Sequence, residues 1–214
     1  MCCDEKERAL KEYVKNNLEC DEILKKLKEV HSNNPYMVEN NIGNNSKVCF
    51  VFSCPGRHEL INNKILCGST GENLNTLLEF LNKYLPKLFP WTERYKYDLL
   101  NATSVVHFRG LDDKTEGSKE EIFENKATFE EYVKSNKNLK YAILCGQKSK
   151  ELKKIFGEKC IYSKHLSLMS LNHIDKDIDG KEISAEDIND SKERTKKRIE
   201  TIAKNIVNQI NAKE

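Results

Sequence analysis

The sequence has no long hydrophobic run. Its 214 residues are 38% hydrophobic and 33% charged, and no apolar stretch approaches the ~20 residues needed to cross a bilayer. The N-terminal sequence MCCDEKERAL lacks the apolar segment of a signal peptide. We therefore expect a cytoplasmic globular protein without membrane contact, large enough for one well-packed domain with extensions.

The eight cysteines include no C-x-x-C pair. This spacing argues against a zinc ribbon or a thioredoxin-like site, and leaves only a metal site assembled from cysteines that are distant in sequence. Several cysteines lie in apolar, strand-like segments, where a reduced thiol behaves as a small hydrophobic side chain. We therefore expect reduced cysteines and neither a bound metal nor a cofactor.

A strong net charge is also missing, because 36 basic and 34 acidic residues leave a formal charge of +2. Any surface that binds nucleic acid would therefore have to be a local basic patch.

Strand-like and helix-like segments alternate along the chain. Short apolar segments predict strands at residues 48–52, 97–106, 141–145 and 160–163. Apolar residues at helical spacing predict helices at residues 72–85, 129–135, 147–156 and 191–210. This alternation predicts a three-layer α/β/α sandwich with a mainly parallel central sheet.

The same patterns predict three regions. Residues 1–45 form an N-terminal extension, helical over residues 4–31 and followed by a polar loop at 39–47. Residues 46–175 form the α/β core, and residues 176–214 form a C-terminal loop and helix that pack on it. In a parallel sheet, sites lie at the carboxyl ends of the strands.

Four segments in this order resemble the uracil-DNA glycosylase superfamily: FVFSCPGRHE, LLNATSVVHFRG, AILCGQKSKEL and KHLSLMSLN. In the most similar branches the first strand ends in a motif like GEAPG or GLAPG, which corresponds to residues 52–56. A later motif like HPSPLS aligns without a gap with residues 165–170. The resemblance covers roughly residues 47–172. It implies a monomeric DNA glycosylase that hydrolyses the N-glycosidic bond of uracil or another altered base flipped out of DNA.

The resemblance also implies roles for individual residues. His165 would donate a hydrogen bond to a pyrimidine carbonyl oxygen on which negative charge develops, and Asn101 would recognise the edge of the base. Simpler alternatives are a loop histidine bonded to its own backbone and an asparagine that caps a strand end. The residues expected to surround the base are Ser53, Cys54, Pro55, Gly56, Leu66 and Asn101.

The residues expected to contact DNA are Arg57, Lys148, Ser167, Met169 and Ser170. The two serines would donate to phosphates, and Met169 would insert as an apolar wedge into the gap left by the flipped base. The alternative is that the apolar residues of segment 168–171 pack into the core.

The sequence departs from the family pattern at several positions. Ser53 occupies the place of an acidic residue, and Leu66 the place of a base-stacking phenylalanine. Glu59 is the nearest carboxylate, which would orient the attacking water or pair with a neighbouring cation. Val105 falls where one branch has a cysteine ligand, so we expect no iron-sulfur cluster.

Two other functions are compatible with the sequence. One is a nucleic-acid-binding protein that keeps the fold without catalysis, because Ser53 replaces the usual acid. The other is a nucleotide-binding α/β protein with a phosphate loop at residues 68–71. That segment lacks the Lys-Ser/Thr of a Walker loop and does not directly follow a strand.

Overall fold

A computed structural model describes residues 25, 28–31, 33, 35–112, 114–186 and 188–214. Most of the predicted N-terminal helix at residues 4–31 lies outside the described residues, and residues 28–31 are helical. No helix of the described segments combines the length and the apolar character that crossing a membrane requires.

In the described residues, four strands form a parallel sheet with the order β2-β1-β3-β4. The strands are β1 (Asn45–Phe52), β2 (Tyr97–Asn101), β3 (Tyr141–Cys145) and β4 (Cys160–Ser163). All five residues of β3 are buried, as expected for a central parallel strand covered on both faces. The strands predicted at residues 141–145 and 160–163 are confirmed.

Seven α-helices surround the sheet in the described part of the chain: α1 (Arg57–Asn62), α2 (Ser69–Tyr84), α3 (Lys119–Glu124), α4 (Lys126–Ser135), α5 (Lys153–Phe156), α6 (Leu168–Asn172) and α7 (Ser191–Asn211). Three short 3-10 helices lie at Arg94–Lys96, Lys148–Leu152 and Gly157–Lys159.

Helices cover both faces of the sheet because successive residues of β1 point to opposite sides. Phe50 and Phe52 belong to a cluster with buried side chains of α2 and α7. Cys49 and Val51 belong to a second cluster with buried side chains of α3, α4 and α5. The predicted α/β architecture with helices around a parallel sheet is therefore confirmed.

Three details of the elements differ from the predictions. β2 ends at Asn101 instead of residue 106, because its neighbour β1 ends at Phe52. The segment between the predicted strand at residues 48–52 and the predicted helix at residues 72–85 contains α1, which the apolar pattern did not predict. The predicted helix at residues 147–156 begins as a 3-10 helix, a distinction that apolar spacing does not encode.

The polar segment 39–47 is more than the predicted loop. Its residues from Asn45 onward belong to β1, and Asn41 forms an antiparallel bridge with Leu99 of β2. The Asn41 backbone N–H donates to the Leu99 carbonyl at 2.9 Å, and the Leu99 N–H donates back at 2.8 Å. The segment thus satisfies backbone groups along the outer edge of β2.

Candidate functional site

A cavity of about 900 Å³ lies at the carboxyl edge of the sheet. Its walls include Phe52 and Ser53 from the end of β1, Gly146 after β3, and Ser163 and His165 at the end of β4. The parallel sheet brings together segments that are far apart in sequence, as the strand-end rule predicts.

His165 is held in one tautomer by its own loop. Its Nδ1 accepts a hydrogen bond from the Ser167 backbone N–H at 3.1 Å, so the hydrogen of the neutral ring is on Nε2. Burial lowers the pKa of His165 below its usual range because desolvation disfavours the charged form. The cavity wall therefore carries a neutral imidazole with an N–H donor.

The His165 ring is fixed by close neighbours on β1 and directly after β3. The Phe52 ring contacts it edge-on, with centroids 5.8 Å apart. Gly146 has a φ of +95°, and a Cβ at this position would lie 3.2 Å from the His165 Cβ. Glycine at position 146 therefore permits both the backbone conformation and the approach of the imidazole.

The turn after β1 forms another wall of the cavity. Ser53 is buried and its Oγ accepts a hydrogen bond from the Gly117 N–H at 3.3 Å. Burial raises the pKa of the Cys54 thiol to about 12, so this cysteine is a neutral thiol rather than a nucleophile. The Pro55 carbonyl accepts from the His107 N–H at 3.0 Å.

Two carboxylates line the cavity, Glu59 and Glu116. Glu59 lies in the first turn of α1, and its Oε2 accepts a hydrogen bond from the Gly56 N–H at 3.0 Å. This geometry shows a helix cap, a role that the sequence analysis did not consider, and no described ion pair joins Glu59 to Arg57 or Lys64. Glu116 is exposed and was not singled out in the sequence.

Leu66 lines the cavity and is buried. Its φ of 52° is unusual for a residue with a Cβ. The Leu66 carbonyl packs against Gly71, where an added Cβ would lie 1.8 Å from the oxygen. The glycine at position 71 is therefore explained by this close backbone contact at the start of α2.

Asn101 lies beside the cavity wall and does not line it. It pairs with Phe52 in the sheet, and its backbone N–H donates to Asn40 Oδ1 at 2.9 Å. The Nδ2 group is buried and has no hydrogen-bond partner among the described residues. An unpaired buried amide is costly, which is one reason to expect a ligand near this side chain.

The residues expected to contact DNA lie in two places. Ser167, Met169 and Ser170 line the cavity, whereas Arg57 and Lys148 do not. Met169 is 78% exposed, so its side chain is not part of the core. Leu171 is fully buried, so this residue of segment 168–171 packs into the core, as the alternative interpretation predicted. The Ser167 Oγ accepts from the Ser170 N–H at 3.3 Å and caps α6.

Three further residues belong to the cavity wall: Lys150, Tyr162 and His107. Lys150 and Tyr162 are adjacent, with the lysine Nζ 5.7 Å from the ring centroid. Tyr162 is 42% exposed although it lies on a strand. The exposure of Tyr162 follows from the position of β4 at the edge of the sheet. The apolar pattern of β4 therefore gives no sign of it.

His107 is buried between two carboxylates that come from different segments. Its Nδ1 lies 2.5 Å from Asp112 Oδ2, and its Nε2 lies 2.7 Å from Glu121 Oε2. The sequence gives one partial signal for this arrangement, the S-x-x-E pattern of a capping box at residues 118–121. The structure confirms that box, but its link to His107 depends on the fold.

Neither a protein-family model nor a curated protein matches the sequence of this chain.

Proposed function

We propose that this protein is a DNA glycosylase that hydrolyses the N-glycosidic bond of uracil or another altered pyrimidine. The observation that carries the proposal is the neutral His165, whose Nδ1 is occupied by the Ser167 N–H. Its Nε2–H is the donor available to a base in the cavity. This arrangement adds a chemical reason to the resemblance of the four sequence segments to the uracil-DNA glycosylase superfamily.

The reaction needs a donor of this kind. As the bond between the sugar C1′ and the base nitrogen breaks, its electron pair moves onto the base and negative charge develops on a carbonyl oxygen. A fixed N–H donor stabilises that charge more in the transition state than in the ground state. Water then adds its oxygen to C1′ and gives up a proton, and the base leaves in neutral form.

The cavity offers complementary groups for the other steps. Glu59 and Glu116 line the cavity, and in the proposal one of these carboxylates orients the attacking water. Asn101, with its unpaired Nδ2, is the side chain that would shift to meet the base edge. Because Asn101 does not line the cavity, its side chain must reach past the cavity wall to contact the base.

The rim of the cavity suits a DNA strand. Met169 is an exposed apolar side chain of the kind that fills the gap left by a flipped base. Lys150 and Lys164 line the same cavity and supply positive charge for phosphates. Tyr162, exposed beside Lys150, presents a ring on which a neighbouring base can stack.

The second candidate is a protein that binds nucleic acid without cleaving the base. It is favoured by Ser53, whose hydroxyl replaces the acid of related motifs and accepts a bond from the Gly117 N–H. A serine in this role cannot act as a general base at neutral pH.

One assay separates the two candidates. Purified protein is incubated with single-stranded and duplex oligonucleotides that carry uracil or other altered bases, and abasic sites are scored by alkaline cleavage. We expect release by the wild type and at least about a hundredfold slower release by His165→Ala, which removes the N–H donor. His58→Ala, which changes an exposed histidine of α1, is the matched control and keeps wild-type release. DNA binding without release by the wild type would favour the second candidate.

A further inference from the structure

Four side chains with nitrogen or oxygen ligand atoms meet beside the cavity. His107 lies between Asp112 and Glu121, as described above. His31, from the segment before β1, contacts the His107 ring edge-on with centroids 6.3 Å apart. Both histidines are buried, with 8% and 3% of their surface exposed. Ligand atoms of His31, His107 and Asp112 all lie within 4.8 Å of one another.

The hydrogen bond to Glu121 determines which nitrogen of His107 is available to bind a cation beside Asp112 and His31. If Nε2–H donates to Glu121, the neutral ring presents its Nδ1 lone pair toward the Asp112 carboxylate. Two lone pairs 2.5 Å apart repel each other unless a cation lies between them. A proton can fill that place, and so can a metal ion with His31 as its third ligand.

We propose that His31, His107 and Asp112 bind a divalent transition-metal ion of the Zn²⁺ type, with Glu121 orienting the His107 ring. Two imidazoles and one carboxylate are a ligand set used by zinc and related ions. A carboxylate that accepts from the second nitrogen of a ligating histidine is the usual outer partner in such sites. This site is independent of the proposed glycosylase activity.

Binding requires a small adjustment of the side chains. Neighbouring ligand atoms of a tetrahedral zinc ion lie roughly 3.4 Å apart, so the group must rearrange by about an ångström. The ion takes the place of any proton between His107 and Asp112, and that proton passes to solvent. His31 Nδ1 accepts a hydrogen bond from the Tyr36 N–H at 3.1 Å. Coordination of the metal ion by either nitrogen of His31 would break this hydrogen bond. The Tyr36 amide is therefore a local reporter of metal binding.

The proposed ion has a structural consequence for the cavity. It would join the segment that carries His31 to the loop that carries His107 and Asp112. The His107 backbone N–H also holds the Pro55 carbonyl at 3.0 Å, so the same residue connects the metal site to the turn after β1. We expect the ion to stabilise this wall of the cavity.

The test uses tag-free protein that has been dialysed against a chelator in a non-thiol reductant. Addition of Zn²⁺ should raise the Tm by about 5 °C or more at saturation, and should shift the Tyr36 amide resonance. His31→Gln and Asp112→Asn should abolish both effects. The matched control, His58→Gln, changes a histidine outside the group and should keep them.

The cysteines are the main competing zinc ligands, and Co²⁺ distinguishes them. Co²⁺ held by nitrogen and oxygen ligands gives visible bands without the thiolate-to-cobalt charge-transfer band of a cysteine site. This measurement on the wild type needs no variant to fold. An unchanged Tm with Zn²⁺, an equal rise in His31→Gln, or a thiolate band would overturn the proposal and leave a proton between His107 and Asp112.

Discussion

At the scale of single residues, the burial of His165 makes stability depend on pH. Its pKa is lowered in the folded protein, whereas an unfolded histidine titrates near about 6.5. Between these two values the unfolded state binds more protons, so stability is lost as the pH falls below about 6.5. We expect the Tm of the wild type to fall more than that of His165→Gln between about pH 7.5 and about pH 5.5.

His31 also has a pKa lowered mainly by burial, but it is present in both proteins, so the difference between them isolates His165. Differential scanning fluorimetry measures the Tm of both proteins. Equal decreases in the wild type and in His165→Gln would contradict the assignment of a buried neutral ring.

The role of Glu59 can be tested without removing its helix cap. Glutamine at this position keeps an oxygen that accepts from the Gly56 N–H but cannot act as a base. If Glu59 orients the water, Glu59→Gln should fold normally and release the base about a hundredfold more slowly. Glu116→Gln, the control from the same cavity, should lose less. A larger loss in Glu116→Gln would transfer the role to that carboxylate.

Some positions of the candidate site could be predicted from the sequence, and others could not. His165 and Gly56 line one cavity because the ends of parallel strands share an edge. Asn101 follows the same rule yet lies outside the wall, since the packing of neighbours such as Phe52 decides which strand-end side chains reach a cavity. The contacts of His107 join segments that no local pattern connects.

At the scale of elements, α7 stabilises one face of the sheet. Its apolar residues at helical spacing, Ile199, Ile202, Ala203, Ile206 and Ile210, belong to the core cluster that also includes α2. Ile206 is fully buried, so Ile206→Ala should lower the free energy of unfolding by about 2–5 kcal/mol. Lys204→Ala, a partly exposed position on the same helix, should change it by less than about 0.5 kcal/mol. Urea denaturation followed by circular dichroism measures both, and similar values would contradict the packing of α7.

The elements differ in how well their sequences define them. β3 and β4 could be predicted because each is a short apolar segment, and a glycine follows β3. The end of β2 could not, because a strand stops where its partner stops, and that partner is distant in sequence. α1 was missed because its six residues contain a single buried side chain, Leu60, too few for a period.

At the scale of the whole molecule, the small net charge of +2 means that the proposed DNA affinity would depend on a few lysines. Each phosphate contact that is lost reduces the slope of log K against log salt by about one. We expect this change for Lys150→Gln, because Lys150 lines the cavity. Lys140→Gln alters an exposed lysine just before β3, at the opposite end of the strand, and should leave the slope unchanged. Fluorescence anisotropy with a labelled oligonucleotide measures the slopes, and equal slopes would exclude this DNA path.

The parallel order of the sheet also has a consequence for folding. Pairing of β1 with β3 brings Val48 beside Tyr141, so a long intervening chain must close before either strand gains its contacts. Closing a loop of this kind costs conformational entropy before the strand contacts form, and this cost slows folding. The cavity cannot form earlier, since its walls are the ends of those same strands. During synthesis, a ribosome-bound chain that stops before β3 would therefore carry the turn after β1 and α2 without a pocket between them.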